Sequence, residues 1–148
     1  MGNFIGIERL TLGPWQALER AILRFYEHSG FKDCQLVGGT GDQGADILAV
    51  KDNRLWVTQV KYRRAPVALD DSVVREVVRA IGAYSANEAV VATNQYFQPD
   101  VYETAKKFSD EIHVPIRLWS GDILLNWSKK MPLFPLSRKE LRTYQQEA

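Results

Sequence analysis

The chain has 148 residues, of which 45% are hydrophobic and 25% charged, values that suit one globular domain with a real core. The formal net charge of +1 at pH 7 excludes a strongly basic nucleic-acid protein, so any DNA affinity must come from local patches. A single cysteine, Cys34, excludes an internal disulfide and every zinc site built from several cysteines. The sequence has no signal peptide and no apolar run near roughly 18 residues, which predicts a soluble cytoplasmic protein of a prokaryote with no membrane partner.

The predicted elements alternate between helices and short strands. The first helix is predicted from about Pro14 to His28, with apolar residues at helical spacing and Gly30 as its stop. We then expect strands at 33–37, 46–50, 55–60, 89–92 and 114–118, and helices at about 70–84, 100–109 and 120–129. The order α-β-β-β-α-β-α-β-α predicts an α/β fold, a mixed central β-sheet flanked by helices on both faces.

The second and third strands read as a β-hairpin. Its turn is predicted at Asp52-Asn53, because Asp and Asn tolerate turn backbones, including positive φ. A two-residue loop pairs Lys51 with Arg54. Counting outward places Asp46 opposite Gln59, where directly opposed Cβ atoms lie about 5 Å apart.

Two alternatives to this register stay open. A three-residue loop would place Val60 opposite Asp46 instead. Asp42 is a rival carboxylate, but it would lie opposite Arg63, beyond the expected end of the pairing, so we prefer Asp46. Taken alone, each of these polar residues also has a structural interpretation, as a turn residue or a solvated strand end.

The hairpin brings together groups suited to a metal ion and a phosphodiester. Gln59 and Lys61 alternate onto one face, and Asp46 lies across from them. Mg²⁺, for which Mn²⁺ is a possible substitute, prefers oxygen ligands. Asp46, the Gln59 side-chain carbonyl and the Val60 main-chain carbonyl would supply them, and Lys61 would contact the scissile phosphate and orient or deprotonate the attacking water. This arrangement predicts a nuclease.

The same residues carry a family resemblance. The run 38–46, GGTGDQGAD, followed by Gln59-Val60-Lys61, resembles the signature of Mrr-type restriction endonucleases, which belong to the PD-(D/E)xK nuclease superfamily. The resemblance covers roughly residues 15 to 128 and includes the segments 18–19, 29–31, 90–94 and 119–122 and Phe97.

The resemblance implies a restriction-endonuclease-like fold and a DNA endonuclease of type II or type IV kind that acts in defence against foreign DNA. Gln59 is neutral, so a third group is needed to hold the ion. In the family this group is a glutamate of the first helix, and Glu19 occupies the matching place. Glu19 therefore joins Asp46, Gln59 and Lys61 as a catalytic residue, and joins Val60 as a candidate metal ligand.

Candidate DNA contacts surround this site. The glycine-rich loop lets the backbone approach nucleic acid closely. Basic residues follow the strand that carries Gln59 and Lys61, called the active strand below, and two more lie one turn apart on the second helix. Phosphate contacts of this type give affinity without sequence information. The residues are Gly41, Asp42, Gln43, Gly44, Tyr62, Arg63, Arg64, Arg75, Arg79 and Asn94.

The end of the chain differs from the rest. Residues 1–130 form the expected nuclease domain, and residues 131–148 begin with a proline-containing linker. The final segment, LRTYQQEA, resembles the start of superfamily 2 helicase motors, although no phosphate-binding loop follows it. We therefore expect a helicase or translocase in cis.

Two other functions use the same residues. A branched-DNA resolvase, of the kind that cuts Holliday junctions, would keep the site and change the substrate. A catalytically inactive DNA-binding or docking module of a helicase would fit the neutral Gln59 and the modest net charge. Cutting both strands of a duplex requires two sites, which predicts a homodimer.

Overall fold

The computed structural model describes residues 15–37 and 46–130, and the backbone of two short strands near the end of the chain; the side chains of 128–130 are not included. The helices are α1 Trp15–His28, α2 Ser72–Tyr84, α3 Pro99–Ile112 and α4 Gly121–Lys130. The strands are β1 Lys32–Leu36, β2 Ile47–Lys51, β3 Arg54–Lys61, β4 Ala68–Leu69, β5 Glu88–Thr93, β6 Tyr96–Phe97, β7 Ile116–Trp119, β8 Arg142–Thr143 and β9 Gln146–Glu147.

Five strands form the central sheet in the order β1-β2-β3-β5-β7. The first three pair antiparallel in chain order, and β5 runs parallel to β3 and β7 parallel to β5. The parallel pairs need crossover connections, which α2 and α3 supply. The predicted mixed sheet and the predicted order of the main elements are thus confirmed.

The hairpin register matches the two-residue prediction. Asp52 and Asn53 have φ values of 53° and 64°, the positive values that a type I′ turn requires at both central positions. Lys51 pairs with Arg54, and the ladder continues to Ile47 opposite Thr58. The alternative with a three-residue loop is wrong, because it would shift every pair by one residue.

The sheet separates two apolar cores. Because successive strand residues point to opposite faces, β2 and β5 contribute alternately to each core. The core under α2 and α3 contains Leu48, Val57, Val73, Val74, Val77, Val91, Val101 and Leu118. The core under α1 and α4 contains Leu18, Ile22, Tyr26, Ile47, Ala49, Val90, Ala92, Trp119 and Leu124.

A second, two-stranded sheet, β4 with β6, lies where the chain leaves β3 and β5, and the sequence pattern did not predict it. The Gln98 N–H donates to the Leu69 carbonyl at 2.9 Å beside this pair. The small sheet connects the segment after β3 to the segment after β5, so it fixes the start of α2 relative to the end of the active strand.

Several predictions fall outside the described residues. These are the helix start at Pro14, the loop residues Gly41, Asp42, Gln43 and Gly44, and the linker after residue 130. The predicted boundary between a nuclease domain and a terminal segment at residue 130 stays a prediction. Across the described ranges, no helix is both long and apolar enough to cross a membrane.

Candidate active site

Asp46 immediately precedes β2, and two hydrogen bonds hold it against β3. Its main-chain N–H donates to the Thr58 carbonyl at 2.9 Å, and its carboxylate Oδ2 accepts the Val60 N–H at 2.7 Å. These two bonds lie on either side of Gln59 in the sequence, so Asp46 lies beside Gln59 as the hairpin register predicts. Strand alternation also places Asp46 on the same sheet face as Leu48.

Gln59 and Lys61 lie on the face of the sheet that α2 covers. Val57, two residues before Gln59, belongs to the core under that helix. The intervening Thr58 points the other way, where its hydroxyl meets the Tyr26 hydroxyl of α1. Asp46, Gln59 and Lys61 therefore share one face of the sheet, as the alternation in the sequence indicates.

A residue that the sequence analysis missed lies in the same cluster. Glu76 of α2 places its Oε1 at 2.5 Å from the Lys61 Nζ and at 3.0 Å from the Gln59 Nε2. The sequence contained a sign of this role, a charged residue at the edge of the apolar stripe of α2. Glu76 lies three residues after buried Val73 and four before buried Ala80. A charge at that position requires partners.

The Gln59 amide oxygen is the feature that best fits a metal ion. Gln59 is 6% exposed, and its Oε1 is buried without a hydrogen-bond partner within the described part of the chain. A buried polar atom with no partner costs free energy, about 1–3 kcal/mol, unless a ligand satisfies it. Carbonyl and carboxylate oxygens are the ligands that Mg²⁺ prefers, so this donor set fits that ion.

The main chain of β3 can add a further oxygen. In an antiparallel ladder a residue exchanges both its N–H and its C=O with the same neighbouring strand. The Val60 N–H faces Asp46, so the Val60 carbonyl faces that side as well. In contrast, the described residues contain no group of three or more His, Cys, Asp or Glu side chains arranged for a metal.

Glu19 lies on a different element from the cluster. It is partly exposed on α1, directly after Leu18, which is completely buried. Helix α1 packs on the face opposite to the one that carries Gln59 and Lys61. Glu19 would therefore approach Asp46 past the end of the sheet rather than across its face.

The segment after β3 is fixed by Asn94. The Asn94 Oδ1 accepts the Arg63 N–H at 2.9 Å, and its Nδ2 donates to the Arg63 carbonyl at 2.7 Å. Asn94 is 9% exposed and both ends of its amide bond to the Arg63 main chain, whereas its predicted contact with DNA stays a prediction. The same bonds leave the Arg63 and Arg64 side chains exposed, and Tyr62 partly buried, at the end of the active strand.

Arg75 and Arg79, the two arginines of α2 predicted to contact DNA, are both exposed, and Arg75 also contacts other side chains of the protein. Arg75 forms an ion pair with Asp71 at 3.2 Å and lies over the Phe108 ring at 5.9 Å from its centroid. Arg79 follows one turn later on the solvent side of α2. Since α2 also carries Glu76, both arginines lie on the helix that borders the Asp46, Gln59 and Lys61 cluster.

The mixed sheet and the hairpin cluster define the class of a PD-(D/E)xK type nuclease domain. A family model described as restriction endonuclease, the Mrr catalytic domain, matches residues 12–128. The chain belongs to this family, so it is a restriction-endonuclease-like domain of an enzyme that acts on DNA.

Several solved structures are similar to this chain. The protein of unknown function AF1548 aligns with a TM-score of 0.58 at 14% identity, over 89% of this chain and 79% of its own. The Holliday junction resolvase Hjc from Archaeoglobus fulgidus aligns with a TM-score of 0.42 at 27% identity, over 53% of this chain and 66% of its own.

The restriction endonuclease MspJI, solved in complex with a 27-mer oligonucleotide, aligns with a TM-score of 0.45 at 16% identity. The alignment covers 74% of this chain but 30% of MspJI, so the chain corresponds to less than a third of that enzyme. No curated protein matches the sequence.

Proposed function

We propose that this chain is a Mg²⁺-dependent DNA endonuclease domain, of type II or type IV restriction kind, that acts in defence against foreign DNA. One observation carries the metal-dependent part of this proposal. The amide oxygen of Gln59 is buried without a hydrogen-bond partner in the described residues, on the strand that also binds the Asp46 carboxylate through the Val60 N–H and ends at Lys61. Such an oxygen is a ready ligand for a hard cation.

Four groups would hold the ion. Asp46 would offer the carboxylate oxygen that is not bonded to Val60, Gln59 its Oε1, and Val60 its main-chain carbonyl. Glu19 would complete the set directly or through water. When bound, Mg²⁺ (or Mn²⁺ in its place) supplies charge neutralisation at the phosphate and a more nucleophilic water.

Lys61 would act on the phosphate. Its side chain is 20% exposed, and its Nζ lies 2.5 Å from the Glu76 Oε1, so this ion pair holds the end of the side chain at the cluster. We assign it electrostatic positioning of the scissile phosphate and of the attacking water. Arg63 and Arg64, exposed just beyond it, would contact neighbouring phosphates, and Arg79 would extend the contact along α2.

Two wider properties belong to the same proposal. The domain would work as a homodimer, because each site cuts one strand of a duplex. It would function beside a helicase or translocase in cis, as the terminal segment indicates. Light scattering in the presence of a short duplex tests the first property, since a species of monomer mass alone would contradict the dimer.

The test of the activity is a digestion of three substrates by the purified chain. Supercoiled plasmid, linear duplex and a four-way junction are each incubated with Mg²⁺, with Mn²⁺ and with EDTA. Cleavage of plasmid and duplex that depends on the metal supports the proposal. Cleavage confined to the junction would assign a resolvase instead, and an absence of metal-dependent cleavage on all three would overturn the assignment.

A further inference from the structure

Glu76 connects the two polar residues of the active strand. One of its oxygens, Oε1, accepts the Gln59 Nε2 at 3.0 Å and pairs with the Lys61 Nζ at 2.5 Å. The Glu76 side chain is 33% exposed and that of Lys61 is 20% exposed, so water only partly screens this contact. A single carboxylate therefore sets the relative positions of an amide and an ammonium group.

The chemistry of this contact determines the orientation of the Gln59 amide. A glutamine side chain has a donor end and an acceptor end, whereas an ionised carboxylate only accepts hydrogen bonds. Glu76 consequently takes the NH₂ end of Gln59 and leaves the oxygen end for another partner. The buried Oε1, which has no hydrogen-bond partner in the described residues, is the oxygen that remains.

The geometry points to Glu76 as a positioning residue of the active site. Its carboxylate binds the NH₂ end of the Gln59 amide, which leaves the amide oxygen for the proposed cation, and the same carboxylate oxygen holds the Lys61 Nζ. This inference rests on the proposed Mg²⁺ site. A neutral amide that rotated by half a turn would present its NH₂ group to the cation and repel it, so a fixed orientation increases metal affinity.

The position of Glu76 on α2 agrees with this role. The helix buries Val73, Val77 and Ala80 against the sheet, and Glu76 lies at the edge of that apolar stripe. Partly desolvating a carboxylate is unfavourable unless charged or polar partners compensate it. The two partners that compensate it here are the residues proposed to hold the metal and the phosphate.

The first test measures Mg²⁺ affinity by titration calorimetry. Glu76→Gln keeps the shape of the side chain but can bond either end of the Gln59 amide. We expect its Kd for Mg²⁺ to rise about 10-fold or more, the usual effect of losing a group that orients a metal ligand. The matched control is Asp110→Asn, which removes an exposed carboxylate paired with Lys106 at 3.4 Å on α3 and should bind as the parent does.

The second test exchanges the two groups. In Gln59→Glu/Glu76→Gln the amide on α2 donates to the carboxylate on β3, which then presents an oxygen to the cation. This double variant should recover the Mg²⁺ affinity that Glu76→Gln loses. Affinity that stays as weak as in the single variant would contradict an orienting role.

The third test needs no metal. In the ¹⁵N–¹H spectrum of the metal-free protein, the side-chain NH₂ signals of Gln59 should move when Glu76 is replaced by Gln, and stay in place with Asp110→Asn. Unmoved Gln59 signals, or parent Mg²⁺ affinity in Glu76→Gln, would overturn the role of Glu76 alone. A parent protein that binds no Mg²⁺ would instead overturn the proposed function together with this inference.

Discussion

The Asp46 carboxylate accepts a hydrogen bond from the Val60 main-chain N–H at 2.7 Å, which fixes one of its oxygens against the active strand. The bond makes Asp46 part of the sheet as well as a candidate ligand. A substitution that removes the carboxylate can therefore weaken the hairpin and the site together, unless the new side chain also accepts the bond.

Asp46→Asn separates these two roles. The Asn side chain retains an oxygen that can accept the Val60 N–H, so the fold and the thermal midpoint should stay close to those of the parent. Loss of the negative charge should reduce cleavage by about 100- to 1000-fold, because stabilisation by a bound metal is worth several kcal/mol. Plasmid nicking rates, compared with circular dichroism melts, check both expectations, and a parent rate of nicking would remove Asp46 from the site.

Glu19→Ala should raise the Mg²⁺ concentration needed for half-maximal cleavage about 10-fold, if Glu19 helps to hold the ion directly or through water. The maximal rate at saturating Mg²⁺ should change less. Glu27→Ala is the matched control, since Glu27 is an exposed glutamate on the same helix. Superimposable Mg²⁺ titrations of the parent and Glu19→Ala would exclude Glu19 from the site.

Tyr26→Phe should destabilise the domain without affecting the site. Burial raises the pKa of the Tyr26 hydroxyl, which is fully buried and bonds to Thr58 across the α1 core. Removing it leaves the Thr58 hydroxyl without that partner and should reduce the free energy of unfolding by about 1–2 kcal/mol in urea titrations. Tyr102→Phe, at a 47% exposed position, should remain within about 0.5 kcal/mol of the parent.

Glu88 makes the stability of the sheet depend on pH. Burial raises the pKa of its carboxyl, but hydrogen bonds from Arg117 and Arg54 outweigh this, and the pKa falls below the usual 4.5. Because the folded pKa is the lower one, its stabilising contribution is complete above pH 4.5 and is lost as the pH falls through the folded value.

Glu88→Gln tests this contribution. At pH 7 the variant should be less stable than the parent by about 1–2 kcal/mol, a value reduced by the partial exposure of both arginines. Urea titrations at a series of pH values should show the difference narrowing below pH 4.5. A difference that stays constant down to the lowest pH would contradict a lowered pKa for the Glu88 carboxyl.

The hairpin could be predicted in detail because local chemistry determines it. Asp52 and Asn53 accept positive φ, and the two-residue turn then fixes every pair up to Ile47 and Thr58. Gly30 ends α1 with a φ of 91° for the same kind of local reason.

The features that could not be predicted from the sequence depend on tertiary contacts. Glu76 reaches Gln59 only because α2 folds back over β3. Its place at the edge of an apolar stripe indicates that it needs a partner, but not that this partner is Gln59, 17 residues away. The β4–β6 pair has two residues in each strand, too few for a periodic pattern. Asn94 follows a buried strand, a position typical of ligand contacts, yet its amide bonds to the Arg63 main chain.

Plasmid digestion by the parent and by Lys61→Ala, each with Mg²⁺ and with EDTA, tests most directly whether the hairpin cluster is a metal-dependent nuclease site. We expect nicked or linear plasmid only for the parent with Mg²⁺, and a Lys61→Ala variant that is folded but at least about 100-fold slower. Cleavage by the parent in EDTA, or equal cleavage by both proteins, would contradict a Mg²⁺-dependent nuclease site built on Asp46, Gln59 and Lys61.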